Sequence, residues 1–200
     1  MKILVVGGTG LIGQAVVSEL KDCHDVIVAG YSDGDVQVDI TDVYSIQQMY
    51  RQVGPVDAIV ATTGKVTFAP LEKLQSTDYQ LGLDNKLMGQ VNLVLEGIEN
   101  LNPGGSFTLT SGILNIDPIA QGMSAAMVNG AVEGFVRGSA IEMPNSLRIN
   151  AVSPTVVEEA LGVYQDYFRG FKSVPVKEVA LAFSKSIEGK QTGQVYRAGW

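Results

Sequence analysis

"ILVVGGTGLIGQAVVSEL", Ile3 to Leu20, decides how the chain folds. Apolar residues occupy successive positions up to Val6, so both faces of this short run must be buried, as in a parallel sheet covered by helices. Glycines follow at positions 7, 10 and 13, and an amphipathic helical pattern then begins. Each spacing has a physical reason. Gly7 lets the chain turn off the strand, Gly10 lets backbone approach a pyrophosphate, and Gly13 lets the helix pack against the sheet. Thr9 adds a hydroxyl donor beside the N–H groups and positive dipole end of the helix N-terminus. Gly7, Thr9, Gly10, Leu11, Ile12 and Gly13 therefore form the predicted phosphate loop of a dinucleotide site.

The same alternation continues along the chain. Strands are predicted at 2–6, 25–29, 58–61, 106–110, 147–152 and 194–196. Helices are predicted at 11–20, 43–52, 81–99, 124–142, 157–168 and 176–188. Alternation over the full length predicts one doubly wound, three-layer α/β/α domain of the Rossmann type, residues 1–200. Two hundred residues suffice for a sizeable core, and 46% of them are hydrophobic. No apolar run reaches the ~18 residues of a membrane span. One cysteine, Cys23, gives neither a disulfide framework nor a metal cluster. A net charge of −7 with scattered Lys and Arg argues against a nucleic-acid partner. The composition fits a cytoplasmic protein with no metal and no membrane partner.

The end of the second strand bears on which dinucleotide binds. A carboxylate there would hold the adenosine ribose hydroxyl and select NAD(H). This chain reads "VIVAGYSDGDVQVDITD", with Gly30, Tyr31 and Ser32 at that point. Nothing at the strand end repels a 2′-phosphate and Ser32 is a donor for one, whereas no Arg is present and Asp33 and Asp35 follow closely. The balance favours NADP(H) over NAD(H), with Tyr31 and Ser32 as the contacting residues.

With these residues in view, the chain resembles the short-chain dehydrogenase/reductase family over nearly its full length. Asp39 in "VDITD" matches the family Asp that contacts adenine, with Ile40 beside it. "IVATTG", Ile59–Gly64, stands where the family has Asn-Asn-Ala-Gly, which brings Thr62 and Gly64 to the cofactor. "FTLTSG" matches the strand ending in the catalytic serine, here Ser111. "AVEGFVRGSAIEM" and "LRINAVSP" match the family's fifth helix and sixth strand, and "QTGQVY" resembles its Thr-Gly-Gln. The resemblance implies hydride transfer between a nicotinamide and a small alcohol or carbonyl, with a Tyr as acid/base and a Lys four residues later. A free phenol near pKa 10 needs such a cation before it can act as a base at neutral pH.

That pair is absent. Registering the helix on "AVEGFVR" puts Ala125 and Asn129 at the Tyr and Lys positions, and counting thirteen residues from Ser111 gives Ser124 and Val128. No tyrosine lies between Tyr79 and Tyr164, and no lysine between Lys86 and Lys172, so no shift of register restores them. Substitutes are Ser111, Lys86, Asn129 and Asp117. In "LDNKLMGQVNL" either Asn85 or Lys86 takes the family's fourth-helix Asn position, and a solvent-facing side chain is the plain expectation for the lysine. Ser111 reads equally as a turn residue, and Asp117 before Pro118 as a turn. Pro154-Thr155 replaces the family's Pro-Gly, and Glu159 stands where a Thr often touches the cofactor.

Ala126, Gly130, Gly134 and Gly138 form a small-residue stripe on the fifth helix. Helical glycines cost up to ~1 kcal/mol each against Ala, so a close contact is expected to compensate them. The resemblance makes that contact a homodimer through the helices around 81–99 and 124–142. Two functions stay open: an NAD(P)-dependent oxidoreductase with a rebuilt site, and a non-catalytic dinucleotide-binding sensor or partner subunit.

Overall fold

The computed structural model describes residues 1–200. Seven strands form one parallel sheet: β1 (Lys2–Val6), β2 (Asp25–Gly30), β3 (Val36–Gln37), β4 (Val56–Ala61), β5 (Leu101–Thr110), β6 (Arg148–Pro154) and β7 (Val195–Ala198). Their order is β3-β2-β1-β4-β5-β6-β7, so the chain changes direction of travel between β1 and β4. A crevice opens beyond the carboxyl ends of the strands at such a switch point.

Helices α1 (Leu11–Leu20) and α7 (Val176–Glu188) cover one face of the sheet. The opposite face is covered by α2 (Val43–Val53), α4 (Gly89–Gly97) and α5 (Met123–Ser139). Strand β1 shows why its run is apolar throughout. Leu4 and Val6 join the core under α2 and α4, while Ile3 and Val5 join the core under α1 and α7. All four are at most 1% exposed.

The structure departs from the sequence pattern in three places. The two-residue strand β3 is too short to show a period. The helix expected at 81–99 begins earlier, at α3 (Ser76–Leu81), and passes through a π-helical segment, Gly82–Met88, before α4. The helix expected at 157–168 is a 3₁₀ turn, Glu158–Ala160, and a short helix α6 (Leu161–Tyr164). There Val157 bridges to Val174 as extended chain, and Gly162 lowers helix propensity within the remainder. No helix is long and apolar enough to cross a membrane.

Candidate functional site

The phosphate loop leaves β1 at Gly7, which has φ +83°. The Gly7 and Gly8 N–H groups donate to the Ala29 carbonyl, at 2.8 and 3.2 Å, and Gly10 N–H donates to Gly7 at 3.0 Å. Those glycines shape the loop and keep their donors for it. Leu11, Ile12 and Gly13 begin α1 with no backbone acceptor and no side-chain cap, so their N–H groups are free. A Cβ on Gly13 would lie 2.0 Å from the Gly7 carbonyl oxygen. One on Gly10 would meet only that oxygen, at 3.4 Å. The cradle is open at Gly10 and closed at Gly13, which fits a bound pyrophosphate.

The adenosine side is also built from small residues. A Cβ on Gly30 would sit 2.2 Å from the Asp33 carbonyl and 2.9 Å from Thr9 Oγ1, so this strand end has no room for a carboxylate side chain. Asp35 accepts from Val28 N–H at 2.9 Å and is tied to the strand edge, while Asp33 accepts from Ser32 Oγ at 3.0 Å. Tyr31 is exposed. Asp39 accepts from both the backbone and the hydroxyl of Thr41. The side chain of Ile40 is buried in the core, where only a glycine at 89 leaves it space.

Beyond the ends of β1, β4, β5 and β6 lies a cavity of about 440 Å³. Leu11, Ile12, Thr62, Gly64, Lys86, Ser111, Ala125 and Asn129 all line it. Lys86 is half-buried and lines the cavity, where a helical lysine would ordinarily be fully exposed. Its Nζ donates to the Ser111 carbonyl at 3.2 Å, and no carboxylate lies within ion-pairing distance of it. Burial pulls the ammonium pKa down to about 8.

Three features hold the lysine there. The π-helical turn widens the helix and changes which residue faces inward. Gly64 lets the lysine stem pass, since a Cβ on it would come within 2.6 Å of Lys86 Cγ. Gln90, fully buried, donates to the Lys86 and Thr110 carbonyls and accepts from Thr110 N–H, fixing the helix to the end of β5. Asn85 turns away and accepts from Lys65 N–H at 2.7 Å.

Ser111 is buried, and its hydroxyl donates to Glu133 Oε1 at 3.2 Å. Glu133 is itself buried and takes an Arg137 N–H on its other oxygen at 2.9 Å. The serine thus presents lone pairs, not its proton, to the cavity. Glu133 and Arg137 also have the i, i+4 spacing of a helical ion pair. Asn129 donates to the Gly112 carbonyl at 3.2 Å, and its own Oδ1 is buried without a partner. Asp117 is exposed and outside the lining. Glu159 turns from the loop and accepts from Val176 N–H with both oxygens, capping α7. Tyr164 and Phe168 line the cavity from α6 and the turn after it, a contribution the sequence reading did not foresee. No group of three or more His, Cys, Asp or Glu side chains is placed to hold a metal.

Comparison with known proteins agrees with this architecture. A family model described as enoyl-(acyl carrier protein) reductase matches residues 11–182. The protein lin1944 from Listeria innocua superposes with a TM-score of 0.97 at 53% identity, covering 98% of each chain. A small-chain dehydrogenase solved with NADPH superposes with a TM-score of 0.89 at 27% identity, covering 99% of this chain and 96% of that one. The hydroxynaphthalene reductase-like protein Arp2 of Metarhizium brunneum is 24% identical over 179 residues, covering 76% of this chain and 67% of its own.

Proposed function

The chain belongs to the short-chain dehydrogenase/reductase family of oxidoreductases, and on that premise we propose that it is an NADP(H)-dependent reductase of a small carbonyl compound whose proton donor is Lys86. The observation that carries this reading is the half-buried Lys86 ammonium, held on the Ser111 carbonyl in the cavity that Ala125 and Asn129, the candidate counterparts of the family's Tyr and Lys, also line. A non-catalytic sensor would have no need of a cation kept unpaired in an apolar site, where burial penalises it.

The free N–H groups of Leu11, Ile12 and Gly13 would hold the pyrophosphate, and the unpartnered Oδ1 of Asn129 is an acceptor for a ribose hydroxyl. The bound nicotinamide supplies the hydride. Lys86 then gives a proton to the carbonyl oxygen: one N–H bond breaks, one O–H bond forms, and the neutral amine recovers its proton from solvent. A pKa of about 8 suits this task, because a general acid works best with a pKa near the working pH. Ser111, with its proton on Glu133, accepts from the product hydroxyl.

The crowding at Gly30 and the tethering of Asp35 support NADP(H) over NAD(H). Calorimetric titration of NADPH and NADH tests both the binding and the preference. NADPH is expected to bind several-fold more tightly, and no binding of either at millimolar concentration would remove the proposal. Gly10→Val is expected to keep the melting temperature and weaken NADPH at least 100-fold, because its side chain enters the opening left for the phosphates.

A homodimer through α4 and α5 belongs to the same reading. A Cβ added at Gly134 or Gly138 would meet nothing within 4 Å, and Leu95 on α4 and Ile141 just after α5 are 57% and 85% exposed. Light scattering should give about twice the 21.3 kDa chain mass, falling to the monomer in Gly134→Glu. A monomeric wild type would refute it. Cytoplasmic placement belongs to the same reading and is supported by the exposed free thiol of Cys23.

A further inference from the structure

Resting on the reductase reading, we propose that the substrate is an uncharged aromatic ketone or aldehyde, gripped by rings while its carbonyl oxygen meets Lys86. The first support is charge. Lys86 is the one charged side chain lining the cavity, and the proton transfer already uses it. A substrate carboxylate would have no cation of its own, and burying it unpaired is costly.

The second support is the hydrogen-bonding capacity of the wall. Ser111 donates to Glu133, Asn129 to the Gly112 carbonyl, Thr62 to the Val6 carbonyl and Thr155 to the Lys172 carbonyl. The serine and threonine hydroxyl donors and one of the two Asn129 amide N–H groups are therefore committed within the protein. A polyol or sugar would lose water at several hydroxyls and find few donors in exchange. One carbonyl facing one lysine is the pattern this wall satisfies.

The third support is shape. Phe68, from the loop after β4, meets Tyr164 with ring centroids 6.1 Å apart at 52°, and Tyr167 at 6.3 Å and 48°. Phe168 stands edge-on to Phe171 at 5.2 Å and 77°. Phe68, Tyr164 and Phe168 each line the cavity, and Ala125 adds only a methyl group. Rings held in tilted and edge-on contacts offer further faces and edges to an aromatic guest.

The test compares acetophenone, 4-acetylbenzoate and dihydroxyacetone as substrates of the NADPH-loaded protein. Calorimetry of acetophenone binding to the NADP⁺ complex gives a readout independent of turnover. Acetophenone is expected to exceed both others at least 100-fold in kcat/KM. Phe68→Ala and Phe168→Ala should each raise its KM and its calorimetric Kd about tenfold, while the Kd for NADPH, which reports an intact fold, stays the same. Comparable turnover of the carboxylate or the triose overturns the inference, as does an unchanged acetophenone Kd in both phenylalanine variants. Acetophenone that binds, loses affinity in those variants and is never reduced would end the reductase reading and leave the aromatic site standing. Acetophenone that neither binds nor reacts ends the inference, whatever NADPH does.

Discussion

Lys86→Met is expected to lower kcat/KM for carbonyl reduction by ~10²-fold or more, within the range that a positioned general acid contributes. Methionine keeps an unbranched apolar stem over Gly64 and removes the proton, so affinity for NADPH should change little. The pH profile carries a second signature. Reduction needs the protonated amine, so the wild-type rate should be level below about pH 8 and fall as pH rises through it. In the oxidative direction the neutral amine is required, and the rate should climb through the same pH. The methionine variant should show neither inflection. Activity within threefold of wild type, or an inflection that survives the substitution, would remove Lys86 from the chemistry.

The lowered pKa also links to stability. An unfolded lysine titrates near ~10.4, so between about 8 and that value the unfolded chain holds the extra proton. Burial of this ammonium therefore weakens the fold below pH 8, and the penalty lifts as pH rises from 8. The same change should be absent from the pH-dependence of melting in Lys86→Met.

Gly13→Ala is the second large effect. Its new methyl would lie 2.0 Å from the Gly7 carbonyl oxygen and within 2.8 Å of the Gly7 carbonyl carbon and Gly8 Cα, all of them backbone atoms. No side chain can rotate aside, so β1 and α1 must separate. A loss of ~3 kcal/mol, the upper part of the range for overpacking, is expected. For a chain of this size that lowers the melting temperature by roughly 10 °C. A scanning calorimeter measures it directly, and a shift under 2 °C would show that the loop yields more easily than its geometry allows.

Sequence and structure agree most closely where the backbone itself makes demands. Gly7 and Gly13 sit where a positive φ and a close approach exclude other residues, so their spacing alone reports the loop. The absence of tyrosine between Tyr79 and Tyr164 and of lysine between Lys86 and Lys172 is equally legible, because it needs no alignment. The orientation of Lys86 is not legible. It depends on a π-helical turn, and apolar spacing in "LGLDNKLMGQVNL" reads equally well with or without one. The roles of Glu133 and Glu159 are hidden for a related reason. Their partners, Ser111 and the Val176 N–H, are brought to them by tertiary packing across 22 and 17 residues. The aromatic wall was hidden because "GVYQDYFRG" carries a helix-like pattern that the structure uses instead to turn three rings toward Phe68 and the cavity.

The π-helical segment Gly82–Met88 has a consequence for how such a site can change. A turn of this kind carries more residues than an α-helical turn, so it offsets everything before it against everything after it. Loss of one residue within the segment would turn its side chains by about 100° relative to α4 and swing the lysine away from β5. The charge in the cavity is therefore governed by chain length as much as by residue identity. A lineage could exchange one functional group for another here by a single-codon deletion or insertion, with every remaining side chain unaltered.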